Sequence, residues 1–167
     1  TCLVCEYKKS EQLPKLIIDR SGAELLSAEG FTFVDNNGKI SLSNATETYS
    51  FINQITVSDY ATWTISTDIY GINTIVTKTI PLAIGDNVVY LLITSGDGNN
   101  ISLYTMTIRR RPIYTVSFNT GIETSVPNQY IEETYCASEP IALHRDGYKS
   151  YAWDHSFENP IMQETTI

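Results

Sequence analysis

Residues 88–108, VVYLLITSGDGNNISLYTMTI, decide the fold. Large apolar side chains stand at every second position in both arms of this stretch, which is the spacing of residues that share one face of a β-strand. These positions are Val89, Leu91 and Ile93 in the first arm, and Tyr104, Met106 and Ile108 in the second. The segment between the arms is rich in Gly and Asn, residues typical of turns. The stretch therefore predicts a hairpin of two long strands.

A second hairpin is predicted upstream of the first. Phe31 and Phe33 alternate before Asn37-Gly38, a dipeptide that favours two-residue hairpin turns, and Ile40 and Leu42 alternate after it. Further strands are predicted at residues 48–52, 61–67, 75–80 and 113–118.

One short helix is predicted over residues 21–30. Ser21-Gly22-Ala23-Glu24 has the form of a capping box, Leu25 and Leu26 follow it, and Gly30 would end the helix. No long amphipathic stretch is present elsewhere, and turn signals recur every ten to fifteen residues or so. The sequence therefore predicts an all-β protein built on a β-sandwich or small barrel.

Charge and composition exclude several classes of protein. Nineteen acidic and eleven basic residues give a formal net charge of −8, and such a surface repels polyanions, so we expect no nucleic-acid partner. With 42% apolar and 18% charged residues, the chain is too hydrophobic to be disordered. No apolar run approaches the roughly 20 residues that a membrane-spanning helix needs, so we expect no membrane insertion.

A boundary is predicted at Arg109-Arg110-Arg111-Pro112, where three like charges and a proline separate two alternating runs. The 167 residues are then two small modules. The arginines have two interpretations: a site for an anion or acidic partner, or the charged end of an edge strand that discourages pairing with other chains. The edge-strand interpretation is the commoner one, and we favour it.

The segment before this boundary resembles a known family. NATETYSF at 44–51, LAIGDNVV at 82–89 and LYTMTIR at 103–109 occur in the order found in the cadherin-like β-sandwich domain of bacterial surface proteins. The resemblance covers residues from about 42 to 110. It implies an Ig-like or cadherin-like sandwich over residues 13–111.

The segment after the boundary resembles a second family. YTVSFNT at 114–120, Val126-Pro127, Glu139-Pro140, RDGY at 145–148 and Trp153 are similar to the Listeria–Bacteroides repeat, also called the internalin B-repeat. The resemblance implies a small β-grasp-like module over residues 113–167. The family's usual Gly-Gly after the first strand is Gly121-Ile122 here, and its closing aromatic-rich strand has no counterpart, so we expect an incomplete module.

Together the two resemblances imply a modular bacterial surface protein. We expect a non-catalytic, monomeric unit at the cell surface or in the cell wall that acts as a spacer or as an adhesive unit towards a protein or a glycan. The alternative is a carbohydrate-binding accessory module of a secreted enzyme. An exposed pair of coplanar aromatic rings would favour that alternative.

Cys2 and Cys5 are the candidate metal ligands. A Cys-x-x-Cys knuckle supplies two of the four thiolates that a structural Zn²⁺ takes, so residues 1–12 resemble the end of a truncated zinc ribbon. Zinc is then expected only with an upstream cysteine pair, and no other cofactor is expected. A disulfide loop and a redox pair are the competing interpretations. Cys136 is expected to be an inert, partly buried thiol.

The candidate binding residues are aromatic. Tyr148, Tyr151 and Trp153 form a cluster that could line a ligand site, although packing in the module's core is the favoured role for Trp153. Trp63 alternates with Ala61 and is expected in the core of the sandwich.

No motif for catalysis is present in the sequence. The only histidines are His144 and His155, and no nucleophile elbow or phosphate-binding loop accompanies them. Glu132-Glu133 is expected to be a pair of solvated loop acids. Asp97 and Asn99, on one loop, leave a weak calcium site open.

Overall fold

The computed structural model describes residues 18–121, 125–141, 147 and 153–167. Within these ranges the chain forms twelve β-strands and no α-helix, which confirms the all-β prediction. The strands are β1 (Leu25–Ala28), β2 (Thr32–Val34), β3 (Asn37–Leu42), β4 (Thr48–Ser50), β5 (Ile55–Val57), β6 (Thr62–Ser66), β7 (Thr79–Pro81), β8 (Gly85–Thr94), β9 (Ile101–Arg110), β10 (Ile113–Ser117), β11 (Gln129–Glu132) and β12 (Thr165–Thr166).

A five-stranded sheet in the order β2-β3-β9-β8-β6 is the main layer of residues 18–111, here called the N-terminal unit. The predicted long hairpin is its centre, because β8 and β9 pair in antiparallel register from Gly85 with Arg110 to Thr94 with Ile101. On its other side β9 pairs in parallel with β3, from Asn37 with Thr105 to Leu42 with Arg110.

A second layer covers the apolar face of this sheet. It consists of two small antiparallel sheets, β1 with β5 and β4 with β7. The buried side chains between the layers are Ala23, Ala28, Phe51, Ile65, Ile80, Leu82, Val89, Leu91, Ile93, Met106 and Ile108. The unit is therefore sandwich-like, and the alternating residues of β8 and β9 supply much of its core.

Trp63 packs against this core, as expected, but remains half-buried. It lies on β6 opposite the buried Ile93. The ammonium of Lys78 lies 3.6 Å from the centre of the indole ring, so a cation covers the ring as well as the apolar core.

The first hairpin forms as predicted, but its turn lies two residues earlier. Val34 pairs with Asn37, which leaves Asp35 and Asn36 as the turn, and Asp35 has a positive φ of 52°. Gly38 is instead a strand residue, paired with Phe33 on one side and Met106 on the other. A Cβ atom at Gly38 would lie 2.6 Å from two carbons of the Phe33 ring. Because glycine has no Cβ, this ring can pack directly against the backbone of β3.

We expect Gly38→Ala to lower the free energy of unfolding by about 1–3 kcal/mol, because the added methyl group overlaps the Phe33 ring inside a packed sheet. Urea unfolding would measure the change. In a Phe33→Leu background the same substitution is expected to cost clearly less, since the ring is gone. Equal costs in the two backgrounds would show that ring contact does not constrain Gly38.

The predicted helix over residues 21–30 is wrong. The hydroxyl of Ser21 donates to Asp19 at 2.7 Å, while the amide of Glu24 donates to the hydroxyl of Ser58 at 2.9 Å. Residues 25–28 then pair with β5. Pairing with a distant strand therefore outweighs a local capping signal.

A second core lies in residues 112–167, here called the C-terminal unit. Its three-stranded sheet has the order β11-β10-β12, with β11 antiparallel and β12 parallel to β10. The core consists of Val116, Ala137, Ile161 and Ile167, with Tyr114, Phe118, Ile131, Trp153 and Phe157 packed against it.

Candidate functional site

The segment that joins the two cores carries the densest set of charged contacts described. β9 ends at Arg110 and β10 begins at Ile113, so only Arg111 and Pro112 separate the strands. The edge-strand interpretation of the arginines is wrong, because β9 is hydrogen-bonded to β3 on one side and to β8 on the other. The arginines bind groups of the same chain instead.

Arg109 forms a two-pronged ion pair with Glu133. Its Nε lies 2.6 Å from Oε2 and its Nη2 lies 2.6 Å from Oε1 of that carboxylate. Its Nη1 also donates to Asp86 at 2.8 Å. Glu133 is only 4% exposed, so this charge is paired inside the protein. The Arg109 guanidinium thus links β8 of the N-terminal unit to the turn after β11 in the C-terminal unit.

Arg111 makes a second link of the same kind. Its Nε lies 2.6 Å from Oε1 of Glu132, and the other carboxylate oxygen accepts the hydroxyl of Ser43 at 3.0 Å. The guanidinium also lies 5.4 Å from the centre of the Tyr135 ring. Ser43 and Arg111 both belong to the N-terminal unit, so the two contacts attach Glu132 of the C-terminal unit to it.

Arg110 points into the N-terminal unit. It donates to the backbone carbonyl of Asn44 at 2.8 Å and to that of Leu82 at 2.9 Å. The amide side chain of Asn44 donates to the carbonyl of Arg111 at 2.8 Å. The amide of Glu133 donates to the carbonyl of Pro112 at 2.9 Å. Both side chains and backbone therefore hold the junction.

The pKa values of both acids at this junction are lowered. The hydrogen bonds from Arg109 lower the pKa of Glu133 below its ordinary value of 4.5, and the same bonds, with that to Asp86, raise the pKa of Arg109. Desolvation acts to raise the pKa of Glu132, but the bonds from Arg111 and Ser43 outweigh it and the net pKa is lowered. The prediction that Glu132-Glu133 are solvated loop acids is therefore wrong.

The predicted site residues are not brought together in the described part of the chain. Cys2, Cys5, Tyr148 and Tyr151 lie outside the described residues. Trp153 is half-buried, and its ring centre lies 5.4 Å from that of Phe118 at an interplanar angle of 66°. The Trp153 ring therefore packs edge-on in the second core, in agreement with its favoured role.

Cys136 differs from its expected environment. It is exposed rather than partly buried, and its sulfur lies 3.3 Å from the carbonyl oxygen of Glu158. Cys136 and Pro160 form an isolated antiparallel β-bridge at the surface of the unit.

No candidate metal centre occurs among the described residues, where no group of three or more His, Cys, Asp or Glu side chains is found. The Asp97 carboxylate, considered for calcium, accepts the hydroxyl of Ser95 and two N–H groups of Asn99. These bonds lower the pKa of Asp97, that from Ser95 most strongly. Both carboxylate oxygens of Asp97 therefore accept hydrogen bonds from residues of the same turn.

A surface loop that sequence reasoning missed lies between β6 and β7. Residues 69–77, IYGINTIVT, contain no charged residue, and four large apolar side chains there face solvent. These are Ile69, Tyr70, Ile72 and Val76, of which Val76 is 88% exposed. A nine-residue uncharged run between two strands was the available signal. Exposed apolar side chains in such a cluster are typical of contact surfaces.

Asp68 fixes the shape of this loop. Its carboxylate accepts the backbone amides of Tyr70, Ile72 and Asn73 at 2.8, 3.2 and 2.6 Å, and the hydroxyl of Ser66 at 3.0 Å. These bonds, led by that from Asn73, lower the pKa of Asp68 to about 2. The loop is therefore preorganised at neutral pH.

No family model matches the chain. Neither a curated protein nor a solved structure is significantly similar to it. In the described ranges, no helix is both long and apolar enough to span a bilayer.

Proposed function

We propose that the chain is a non-catalytic spacer module of a bacterial cell-surface protein. One observation carries the proposal: in each unit the first and the last described residues lie at opposite ends of the sheet. A module of this kind separates whatever is joined to its two ends. The cadherin-like and B-repeat-like sequence patterns support the same role.

The N-terminal unit shows this path through its hairpin turn. The carbonyl of Arg20 accepts the amide of Asp97 at 3.2 Å, and that of Ser21 accepts the side chain of Asn100 at 2.9 Å. The described part of the chain therefore begins beside the β8–β9 turn. It leaves at Arg110, the far end of the ten-residue strand β9, roughly 30 Å away at 3.3 Å per residue.

The C-terminal unit continues in the same way. Its first strand begins at Ile113 beside the junction. Its last residue, Ile167, donates its amide to the carbonyl of Ser117, and its own carbonyl accepts the amide of Asn119. Ile167 therefore lies at the end of β10 that is remote from the junction. Because charged and backbone contacts hold the junction, we expect the lengths of the two units to add.

A second candidate role, adhesion, is favoured by the loop at residues 69–77. Its apolar side chains are exposed while its backbone is fixed by Asp68, so a protein partner could bind it with little loss of loop entropy. Among the residues that the structure describes, no comparable observation favours carbohydrate binding, since Trp153 is packed in the second core.

A distance between spin labels tests the spacer role. The labels are placed by Ile101→Cys, at the turn end of β9, and Asn119→Cys, beside Ile167, after Cys2, Cys5 and Cys136 are replaced by serine. We expect a separation of roughly 45–60 Å, the sum of the two strand lengths and the junction. A single compact body with a radius of gyration of about 15 Å allows no more than roughly 40 Å.

The control pair is Ile101→Cys with Ile113→Cys, which spans β9 and the short connection to β10 and should give roughly 35–40 Å whatever the arrangement of the units. A separation between residues 101 and 119 that is shorter than the control distance would mean that the C-terminal unit folds back on the first. That result would overturn the spacer proposal.

A further inference from the structure

We propose that the parallel pair β10–β12 is a tensile clamp, so that the C-terminal unit resists force applied along the chain. The proposal rests on the spacer function, because a spacer between two attached bodies transmits tension from one to the other. It adds that the strand arrangement, beyond separating the ends, opposes their being pulled apart.

The direction of load follows from the register. β10 starts at the junction, and β12 runs parallel to it with Val116 opposite Thr165 and Ser117 opposite Thr166. Tension draws the start of β10 towards the N-terminal unit and draws Ile167 the opposite way. The two strands are therefore pulled past each other along their lengths, and the bonds between them are loaded together.

Three contacts between the strands and their flanks share this load. The amide of Ile167 donates to Ser117 at 2.9 Å, and the carbonyl of Ile167 accepts the amide of Asn119 at 2.5 Å. The amide of Thr115 donates to the carboxylate of Glu164 at 2.7 Å. Sliding by one residue would break all of them before any new pairing forms.

Burial adds a second resistance. The side chain of Ile167 is 8% exposed and belongs to the same core as the fully buried Val116. Drawing β12 past β10 removes Ile167 from this core, so apolar surface is exposed at the moment that the hydrogen bonds break. The side chain of Ile167, directly after β12, thus anchors this strand in the core.

Single-molecule force spectroscopy tests the clamp by changing the direction of pull. The chain is held by handles at both ends in one experiment, and by a thiol handle at Asn119→Cys with the same C-terminal handle in the other. The second geometry peels β12 from β10 one bond at a time. We expect the rupture force of the C-terminal unit to be roughly twofold higher in the first geometry. Equal forces would overturn the proposal.

A substitution at Glu164 gives an independent readout. Glu164 is exposed, so Glu164→Ala should leave the melting temperature nearly unchanged while lowering the end-to-end rupture force. Glu164→Gln retains an acceptor for the Thr115 amide and should restore most of the force. The exposed Glu158→Ala is the matched control and should have no effect. Loss of force in the control, or none with Glu164→Ala, would contradict the assignment.

The two proposals fail in different ways. A short distance between residues 101 and 119 would remove the spacer role without changing the forces measured in the C-terminal unit. A long distance with equal forces in both pulling geometries would retain the spacer and remove the clamp.

Discussion

Replacing Phe51 by alanine is expected to lower the free energy of unfolding by about 3–5 kcal/mol, the largest effect of any single substitution considered. Phe51 is fully buried, and its ring meets that of Tyr49 edge-on at 4.9 Å and stacks on that of Phe31 at 6.5 Å. It lies between the two layers, so the cavity cannot be filled from solvent. Because a sandwich-like unit of this size has a stability of about 5–15 kcal/mol, the variant is close to unfolding at 37 °C.

Thermal and urea unfolding, followed by tryptophan fluorescence, would measure the loss. Trp63→Ala is the informative comparison, because Trp63 is larger yet only half-buried, with Lys78 over its outer face. We expect it to cost roughly half as much as Phe51→Ala. A larger cost for Trp63 would mean that the indole, and not the Phe51 ring, is the centre of the core.

The second large effect is expected at the junction. Glu133→Gln removes the charge that faces Arg109 but keeps the shape of the side chain, and we expect a loss of about 2–3 kcal/mol. The loss is smaller than for a fully buried pair because the Arg109 side chain is 36% exposed. Asp86→Asn is the matched control. It removes the exposed partner of the same guanidinium and should cost less than about 1 kcal/mol.

Acid should abolish the difference between the wild type and Glu133→Gln. The pKa of Glu133 is lowered in the folded chain, so its contribution is fully present above its ordinary value of 4.5 and is lost as pH falls through the lowered value. Unfolding measured from pH 7 to pH 2 would show the two curves converging at the acid end. A constant difference across this range would mean that the pair's charge does not stabilise the junction.

Much of the main sheet could be predicted from the sequence. The strict alternation from Val89 to Ile93 and from Tyr104 to Ile108 specifies one face of each strand, and the Gly-rich turn brings the strands together. The local sequence pattern was therefore sufficient to predict this hairpin. The same reasoning predicts a boundary at Arg109 to Pro112, where one alternating run ends and another begins, and that boundary stays a prediction.

The small strands β1 and β5 could not be predicted. β1 and β5 are four and three residues long and pair with each other across an intervening hairpin, so no local pattern marks either of them. The Ser21 capping signal was intact in the sequence, yet the hydroxyl is engaged by Asp19. The turn of the first hairpin was misplaced because Gly38 serves ring packing, which depends on where Phe33 lies.

The junction was missed for a related reason. Arg109 and Glu133 are twenty-four positions apart and meet only because β11 pairs with β10 and brings the following turn back to the boundary. A run of three arginines viewed alone resembles an exposed strand end. Its true environment depends on β3 lying in parallel on the other side of β9, which no local pattern reveals.

The three arginines alternate in the side to which they point, so the facing of the two units depends on whether the number of residues between them is odd or even. Side chains of an extended chain change sides at every residue, so Arg109 and Arg111 reach the acids of the C-terminal unit while Arg110 reaches back to carbonyls of the N-terminal unit. A connection shorter or longer by one residue would turn the C-terminal unit to the opposite side of the strand and leave Glu132 and Glu133 without these cations. Changes of two residues preserve the facing. We therefore expect the connection to tolerate insertions or deletions of two residues but not of one.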